Sequence, residues 1–174
     1  MSETGSDLAR DALLMAESDP GRSIALAKRA IRLARMEHDD ATIAVAERAW
    51  GHAAHHLQDI SLAVRHLRRA IRFGQQAGVP GLAAEARMTL AGVLSWRGRS
   101  PAAIKEIDAA LAGLTGVRRA RALAQRGAIL YHTGRFDAAM DSYRVALPAL
   151  RRAKDHVWVQ RVLQNRGVAY CERG

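Results

Sequence analysis

Aromatic side chains make up only 5% of this 174-residue chain, which also holds a single cysteine and four prolines. The lone cysteine, Cys171, excludes an intramolecular disulfide and a zinc site built on several cysteines. Few aromatics and abundant alanine disfavour a sheet sandwich and favour closely packed helices. No apolar run approaches the length of about 20 residues that crosses a bilayer, and the N-terminus lacks the features of a secretory signal. We therefore expect a cytoplasmic protein.

Acidic residues are scarce beside basic ones: 17 Asp and Glu face 27 Lys and Arg, which gives a net charge of +10. Arginine supplies 24 of the basic residues. Such an imbalance predicts attraction to acidic partners, although an arginine-rich solvated helix surface explains it equally well. The sequence holds no glycine-rich phosphate loop, nucleophile elbow or carboxylate pair. We therefore expect neither an enzyme nor a bound cofactor.

A small residue followed nineteen positions later by alanine recurs along the chain. The pairs are Asp11 and Ala30 (a degenerate copy), Gly51 and Ala70, Ala91 and Ala110, and Gly127 and Ala146; Gly167 opens a fifth copy. Successive copies start 40, 40, 36 and 40 residues apart. A fixed period of this size is typical of a solenoid of stacked supersecondary units, in which small residues allow close helix crossings.

Apolar residues at a period of 3.6 predict nine helices joined by short links, so that successive helices are antiparallel neighbours. The expected fold is all-α, a right-handed α-solenoid of helical hairpins forming one domain over residues 1–174. Ser6 and Ser100 are the expected N-caps of their helices. The predicted helices are 7–18, 21–36, 40–57, 60–77, 80–96, 100–114, 116–132, 136–153 and 156–173, grouped in repeats of about 6–37, 40–78, 80–114, 116–153 and a partial 155–174.

These residues resemble the tetratricopeptide repeat (TPR), a helical hairpin with small residues at fixed positions. Residues 134–148 are similar to its turn and second helix, and residues 165–174 to its first helix and turn glycine. Arg126 and Arg166 depart from the pattern because the family prefers leucine there. Fair further copies of the second helix are Ala63, Leu67 and Ala70, and Ala103, Ile107 and Ala110.

The chain is also similar to the N-terminal repeat region of actinobacterial proteins that carry a C-terminal CHAT domain, a caspase-like protease module. The resembling stretches are residues 5–10, 63–70, 106–111, 120–126 and 146–153. The resemblance implies a sensing or scaffolding part of a longer protein, with a protease half beyond Gly174.

In TPR arrays the first helix of each hairpin lines a concave groove that binds peptides, helices or partner domains. The residues of this chain expected on that face combine guanidinium groups, amides and one phenol, which suit an extended segment bearing carboxylates. The alternative is an ordinary solvated surface. The candidate residues are Arg48, His52, His55, Glu85, Met88, Ser95, Arg121, Gln125, Tyr131, Arg161, Gln164 and Asn165.

Three further features have competing explanations. His52 and His56 have the spacing of a metal-binding pair, but no Cys, Asp or Glu at ligand spacing completes a site, so no metal is expected. Another helix carries an arginine stripe that suits phosphates, but the missing aromatics weaken nucleic-acid binding. The ninth helix lacks a partner and presents an apolar face, so a homo-oligomer is a further alternative. The stripe is Arg65, Arg68, Arg69 and Arg72, and the apolar face is Val159, Leu163 and Tyr170.

Overall fold

The computed structural model describes residues 3–173, and the side chains in that range other than those of residues 169, 170, 172 and 173. Within this range the chain forms nine α-helices and no strand, which confirms the predicted all-α class. The helices are α1 (Gly5–Met15), α2 (Pro20–Met36), α3 (Asp40–His56), α4 (Ile60–Gln76), α5 (Pro80–Trp96), α6 (Ser100–Gly113), α7 (Gly116–Tyr131), α8 (Phe136–Arg152) and α9 (His156–Arg173).

Aspartates begin four of the helices. The side chains of Asp19, Asp39, Asp59 and Asp155 each accept a hydrogen bond from the backbone N–H three residues further on, at 3.0–3.4 Å. Each bond satisfies one of the backbone donors that an α-helix leaves unpaired at its N-terminus. The hydrogen bonds from Thr42 lower the pKa of Asp39 below its ordinary value.

Residues with positive φ end most of the helices. Glycine holds this conformation in three links, at Gly78, Gly98 and Gly134, where it costs little. Three other links hold a non-glycine residue there: His38 at φ 54°, Gln58 at 63° and Lys154 at 53°. The link between α6 and α7 differs, because Leu114 and Thr115 are extended and the positive φ falls on Gly116, the first residue of α7.

Two N-caps differ from the prediction. The N-cap of α1 is Thr4, whose side chain accepts a hydrogen bond from the Asp7 N–H at 3.2 Å, so this helix begins at Gly5 and Ser6 lies inside it. Ser100 is also the first residue of its helix and not the cap, because Arg99 occupies the cap position without a side-chain hydrogen bond.

The chain divides into two compact units, Met1–Val93 and Leu94–Gly174, with the boundary in the last turn of α5. In the first unit α2 packs against both α1 and α3, α1 contacts α3, and α3 pairs with α4. Its core consists largely of alanines around a few larger side chains, so the helices approach closely. The buried residues include Leu8, Ala12, Ala30, Ile43 and Ala46.

The second unit repeats this pattern. Here α8 packs against both α7 and α9, α7 contacts α9, and α6 contacts α7. Its core is built on larger side chains, among them Leu130, Tyr143, Leu147, Leu150 and Val162. In each unit, then, one helix of a hairpin contacts both first helices beside it, as stacked hairpins require. A single continuous array over residues 1–174 stays a prediction.

Gly51 and Gly127, two of the repeated small residues, lie at close helix crossings. A Cβ atom on Gly51 would lie 2.7 Å from Cγ of Leu67, and one on Gly127 would lie 2.4 Å from Cε1 of Tyr143. The predicted role of these glycines in close packing is therefore confirmed. The side chains that they face lie sixteen residues further along the chain, not at the nineteen-residue alanines that the repeat suggested.

Candidate functional site

Arg48 and Glu85, two of the predicted groove residues, form an ion pair between α3 and α5. Arg48 also donates from Nε to the Thr89 hydroxyl at 3.3 Å. The Thr89 hydroxyl in turn donates to the Glu85 carbonyl at 3.1 Å, within the same helix. The arginine therefore joins two first helices of the same unit, and its charge is balanced by the protein itself.

Arg121 has the same relation to α9 in the second unit. Its Nε lies 2.6 Å from Oδ2 of Asp155, and the other carboxylate oxygen of this aspartate caps α9. Asp155 is largely buried, whereas Arg121 keeps part of its side chain exposed. Neither Arg48 nor Arg121 is thus an uncommitted donor for a ligand carboxylate, although both lie on the first helices as predicted.

Three histidines continue the row that Arg48 starts on α3. The Nε2 atoms of His52 and His56 lie 3.3 Å apart, and the His55 ring contacts the His56 ring at a centroid distance of 5.6 Å. Burial lowers the pKa of His52 to about 4, with further lowering by His56 and Arg48 and an opposing effect of Glu17. Burial also lowers the pKa of His55. Among the described residues no group of three His, Cys, Asp or Glu side chains is placed to hold a metal ion.

The lowered pKa of His52 predicts that the free energy of unfolding decreases in acid. The unfolded chain takes up a proton on His52 near pH 6.5 and the folded chain only near pH 4, so stability falls as pH drops through this interval. Allowing for the partial exposure of the ring, we expect a loss of about 2 kcal/mol. Urea unfolding of the wild type and of His52→Gln at pH 7 and pH 4.5 measures it. Equal acid losses in the two proteins would contradict the assignment.

Two further predicted residues, Met88 and Ser95, lie on α5. Met88 is half-buried on α5, one turn beyond Glu85. Ser95, also half-buried, falls in the second unit because the boundary passes through this helix. In the first unit the structure thus brings Arg48, Glu85 and Thr89 into contact, with His52 one turn further along α3.

In the second unit the predicted residues divide between packing and exposed positions. Tyr131 packs against the core cluster, and its ring lies 5.6 Å from that of Phe136. Arg161 lies over the Trp158 ring at 5.2 Å, a cation–π contact on α9. Gln125 is half-buried and Gln164 is exposed.

Asn165 lies beside the buried hydroxyl of Tyr143. Burial raises the pKa of the Tyr143 phenol to about 12, against the opposing effect of the Asn165 side chain. The Asn165 side chain and the Tyr143 hydroxyl are not positioned to form a hydrogen bond of good geometry. Asn165 therefore lies where α8 packs against α9.

A buried charged cluster on α3 and α4 was not predicted from the sequence. Glu47 is fully buried, and its Oε2 lies 2.5 Å from Nδ1 of His66, which is also buried. Arg69 lies 2.9 Å from the other carboxylate oxygen, an ion pair without hydrogen-bond geometry. The Trp50 ring stacks on His66 at 4.0 Å, and the Lys28 ammonium lies 5.0 Å from the Trp50 centroid. A glutamate within the apolar stripe of α3 was the available sequence signal.

Arg126, which departs from the TPR pattern, is also accommodated by polar partners. Its Nε lies 2.7 Å from Oδ1 of Asp108 on α6, and its Nη1 donates to the Ser142 hydroxyl on α8 at 3.2 Å. The guanidinium thus connects three helices of the second unit at a position where a leucine would only pack.

The arginine stripe on α4 has the predicted outward position except at Arg69. Arg65, Arg68 and Arg72 are exposed and form no ion pair within the described residues. With Ser61, Val64 and Arg69 they line a shallow depression of about 660 Å³. This helix carries no acidic residue, so the surface is uniformly basic.

Two predictions about large apolar side chains need correction. Val159 is not exposed on α9, because it packs against the core cluster of the second unit, whereas Leu163 remains 45% exposed. The side chain of Tyr170 lies outside the described residues. The sequence also predicts that all three tryptophans are packing residues. Trp50 and Trp158 pack against the cores of their units, whereas Trp96 is 57% exposed.

The comparisons with known proteins support the fold alone. No protein-family model matches the chain, and no curated protein matches it. The structure is similar to the crystal structure of BtubC (BKLC) from P. vanneervenii, with a TM-score of 0.68 over 88% of this chain and 67% of that chain. The two sequences are 13% identical. Helices long and apolar enough to cross a membrane are absent from the described residues.

Proposed function

We propose that this chain is a non-catalytic protein-interaction module that binds a peptide, helix or partner domain on the exposed face of its first helices. One observation carries the proposal: on α3 and α5 a strip of half-buried polar and apolar side chains is already held in place. Arg48, Glu85 and Thr89 fix one another, and His52 and Met88 extend the strip. Side chains ordered before binding lose little conformational entropy when a ligand arrives.

The ion pairs within the protein restrict which chemical groups of a ligand the strip can bind. Because Glu85 balances Arg48, the strip does not attract carboxylates through this arginine. The strip also presents the imidazole of His52, the thioether of Met88 and the hydroxyl of Thr89 to a ligand. We therefore expect a ligand of mixed apolar and amide character, without the terminal carboxylate that the arginines alone would favour.

A peptide library displayed on phage tests the proposal. Peptides selected on the wild-type chain are measured against Met88→Lys, which places a charge in the strip. We expect the selected peptides to lose affinity at least tenfold for this variant, about 1.4 kcal/mol. Charge reversal at Arg48 or Arg121 is avoided, because it would set two carboxylates against each other and lower stability.

The matched control is Arg68→Glu on the outer face of α4, which changes charge without touching the strip. Peptide affinity should stay within twofold of the wild type for this variant. Equal binding to the wild type and to Met88→Lys would reject the proposal.

The basic depression on α4 supports a second candidate function, the binding of phosphate-bearing nucleic acid. Three arginines without acidic neighbours on one helix present the charge that a phosphate backbone needs. No tryptophan, tyrosine or phenylalanine lines the depression for base stacking, so any such binding would be insensitive to sequence.

The salt dependence of RNA binding separates the two candidates. If α4 binds phosphates, affinity for a single-stranded oligonucleotide falls steeply between 50 mM and 200 mM salt, and each arginine-to-alanine change lowers the slope by about 0.7. The variants are Arg65→Ala, Arg68→Ala and Arg72→Ala, with Met88→Lys as the control. A flat salt response would remove this candidate.

The resemblance to TPR regions that precede CHAT domains adds a context to the first proposal. We propose that the module serves a larger cytoplasmic protein as its sensing or scaffolding part. Coexpression with the sequence that the gene encodes after Gly174 would test this, since a scaffold should keep its binding strip accessible in the longer protein.

A further inference from the structure

The inference concerns the pair of histidines at the end of α3. Residues four apart on a helix lie on one face, one turn above the other. His52 and His56 meet this condition, and their Nε2 atoms lie only 3.3 Å apart. In the metal-free protein this contact is a hydrogen bond between the two rings. Both nitrogens can bind the same metal ion once this hydrogen bond is given up and each ring carries its proton on Nδ1 instead.

The distance between the two nitrogens favours one coordination geometry. Nitrogen ligands at the usual Zn–N distance of about 2.05 Å and a tetrahedral angle lie about 3.3 Å from each other. Square-planar coordination at about 2.0 Å would require a separation of about 2.8 Å. The pair already has the tetrahedral spacing, so a zinc ion can enter with little movement of either ring.

Charged side chains of both signs lie near the pair. Arg48, on the same helix, places a positive charge near His52, although it is itself paired with Glu85. Glu17, in the turn between α1 and α2, acts on His52 with a negative charge. The described residues offer no third ligand in place, so water or a group of a binding partner would fill the other positions.

We propose that His52 and His56 chelate one Zn²⁺ ion through their Nε2 atoms, leaving two coordination positions open. The two histidines supply two of the four ligands of a tetrahedral zinc centre. Both rings are partly exposed, so the ion can exchange with solvent. Zinc binding does not depend on the proposed peptide-binding function, since it rests on the geometry of α3 alone.

Isothermal titration of the tag-free, chelator-treated chain with ZnCl₂ tests the site. We expect one Zn²⁺ per chain in the wild type and at least tenfold weaker binding in His52→Ala and in His56→Ala. The matched control is His55→Ala, which removes an imidazole from the same turn and should change affinity less than twofold. His132→Ala, on the surface of the other unit, is a second control.

A second measurement guards against variants that misfold. Zn²⁺ should raise the thermal unfolding midpoint of the wild type and of His55→Ala, because a ligand of the folded state stabilises it. It should not raise that of His56→Gln, which keeps a polar side chain of similar reach. No saturable binding up to about 1 mM Zn²⁺ would overturn the proposal. So would an equal loss in His55→Ala and His56→Ala.

Discussion

Replacement of Gly127 by alanine is expected to lower the free energy of unfolding by about 3 kcal/mol. The new Cβ would lie within 2.9 Å of three atoms of the Tyr143 ring. That ring is fully buried, so it cannot swing into solvent, and α7 and α8 must separate instead. The loss exceeds the gain in helix propensity of about 1 kcal/mol that the same change gives in an open helix. Urea unfolding followed by circular dichroism measures it.

The matched control is Gly167→Ala, at the equivalent repeat position on α9. Apart from its chain neighbours and its own helix backbone, no atom of the described residues lies within 4 Å of the Cβ position there, so this variant should equal or exceed the wild type in stability. Adding Tyr143→Leu to Gly127→Ala should cost less than the sum of the two single changes, because leucine vacates the space that the methyl group needs. Additive losses would show that the ring is not the obstacle.

Replacement of Glu47 by alanine is expected to cost about 4 kcal/mol of stability. The substitution removes the partner of the buried His66 ring, leaves Arg69 without its carboxylate and opens a cavity between α3 and α4. Glu47→Gln keeps the volume and one acceptor oxygen, so its loss should be about half as large. The free energy of unfolding at pH 7 gives both values.

Arg69→Ala measures what the ion pair with Glu47 contributes to stability, and Arg68→Ala is its matched control. Arg69 contacts Glu47, whereas the neighbouring Arg68 is exposed and forms no ion pair with a described residue. We expect about 1 kcal/mol for the first and no measurable loss for the second. A Glu47→Ala loss no larger than that of Arg68→Ala would mean that the carboxylate does not hold the hairpin together.

The helix positions were predictable because local chemistry marks their ends. Asp39 and Asp59 supply an N-cap acceptor, and Gly78, Gly98 and Gly134 allow a left-handed stop. These signals depend on contacts over three or four residues, so they can be recognised in the sequence without knowledge of the packing. The first helix was misplaced because Thr4 and Ser6 are both good caps and only the folded context selects between them.

The partners of the charged side chains were not predictable in the same way. Arg48 is separated from Glu85 by 37 residues, and Arg121 from Asp155 by 34. The period of the repeat brings such residues close, but it does not tell whether an arginine faces a carboxylate of its own chain or a ligand. Glu47 was missed for a related reason: a single carboxylate in an alanine-rich helix has the composition of a surface residue.

The ion pairs between first helices bear on how each unit comes apart. An array held only by contacts between adjacent helices can lose its hairpins one at a time. Arg48 and Arg121 each reach past an intervening helix to the next first helix, so α5 cannot separate from α3, nor α9 from α7, without breaking an ion pair. Such links favour all-or-none melting within a unit over stepwise fraying from its ends.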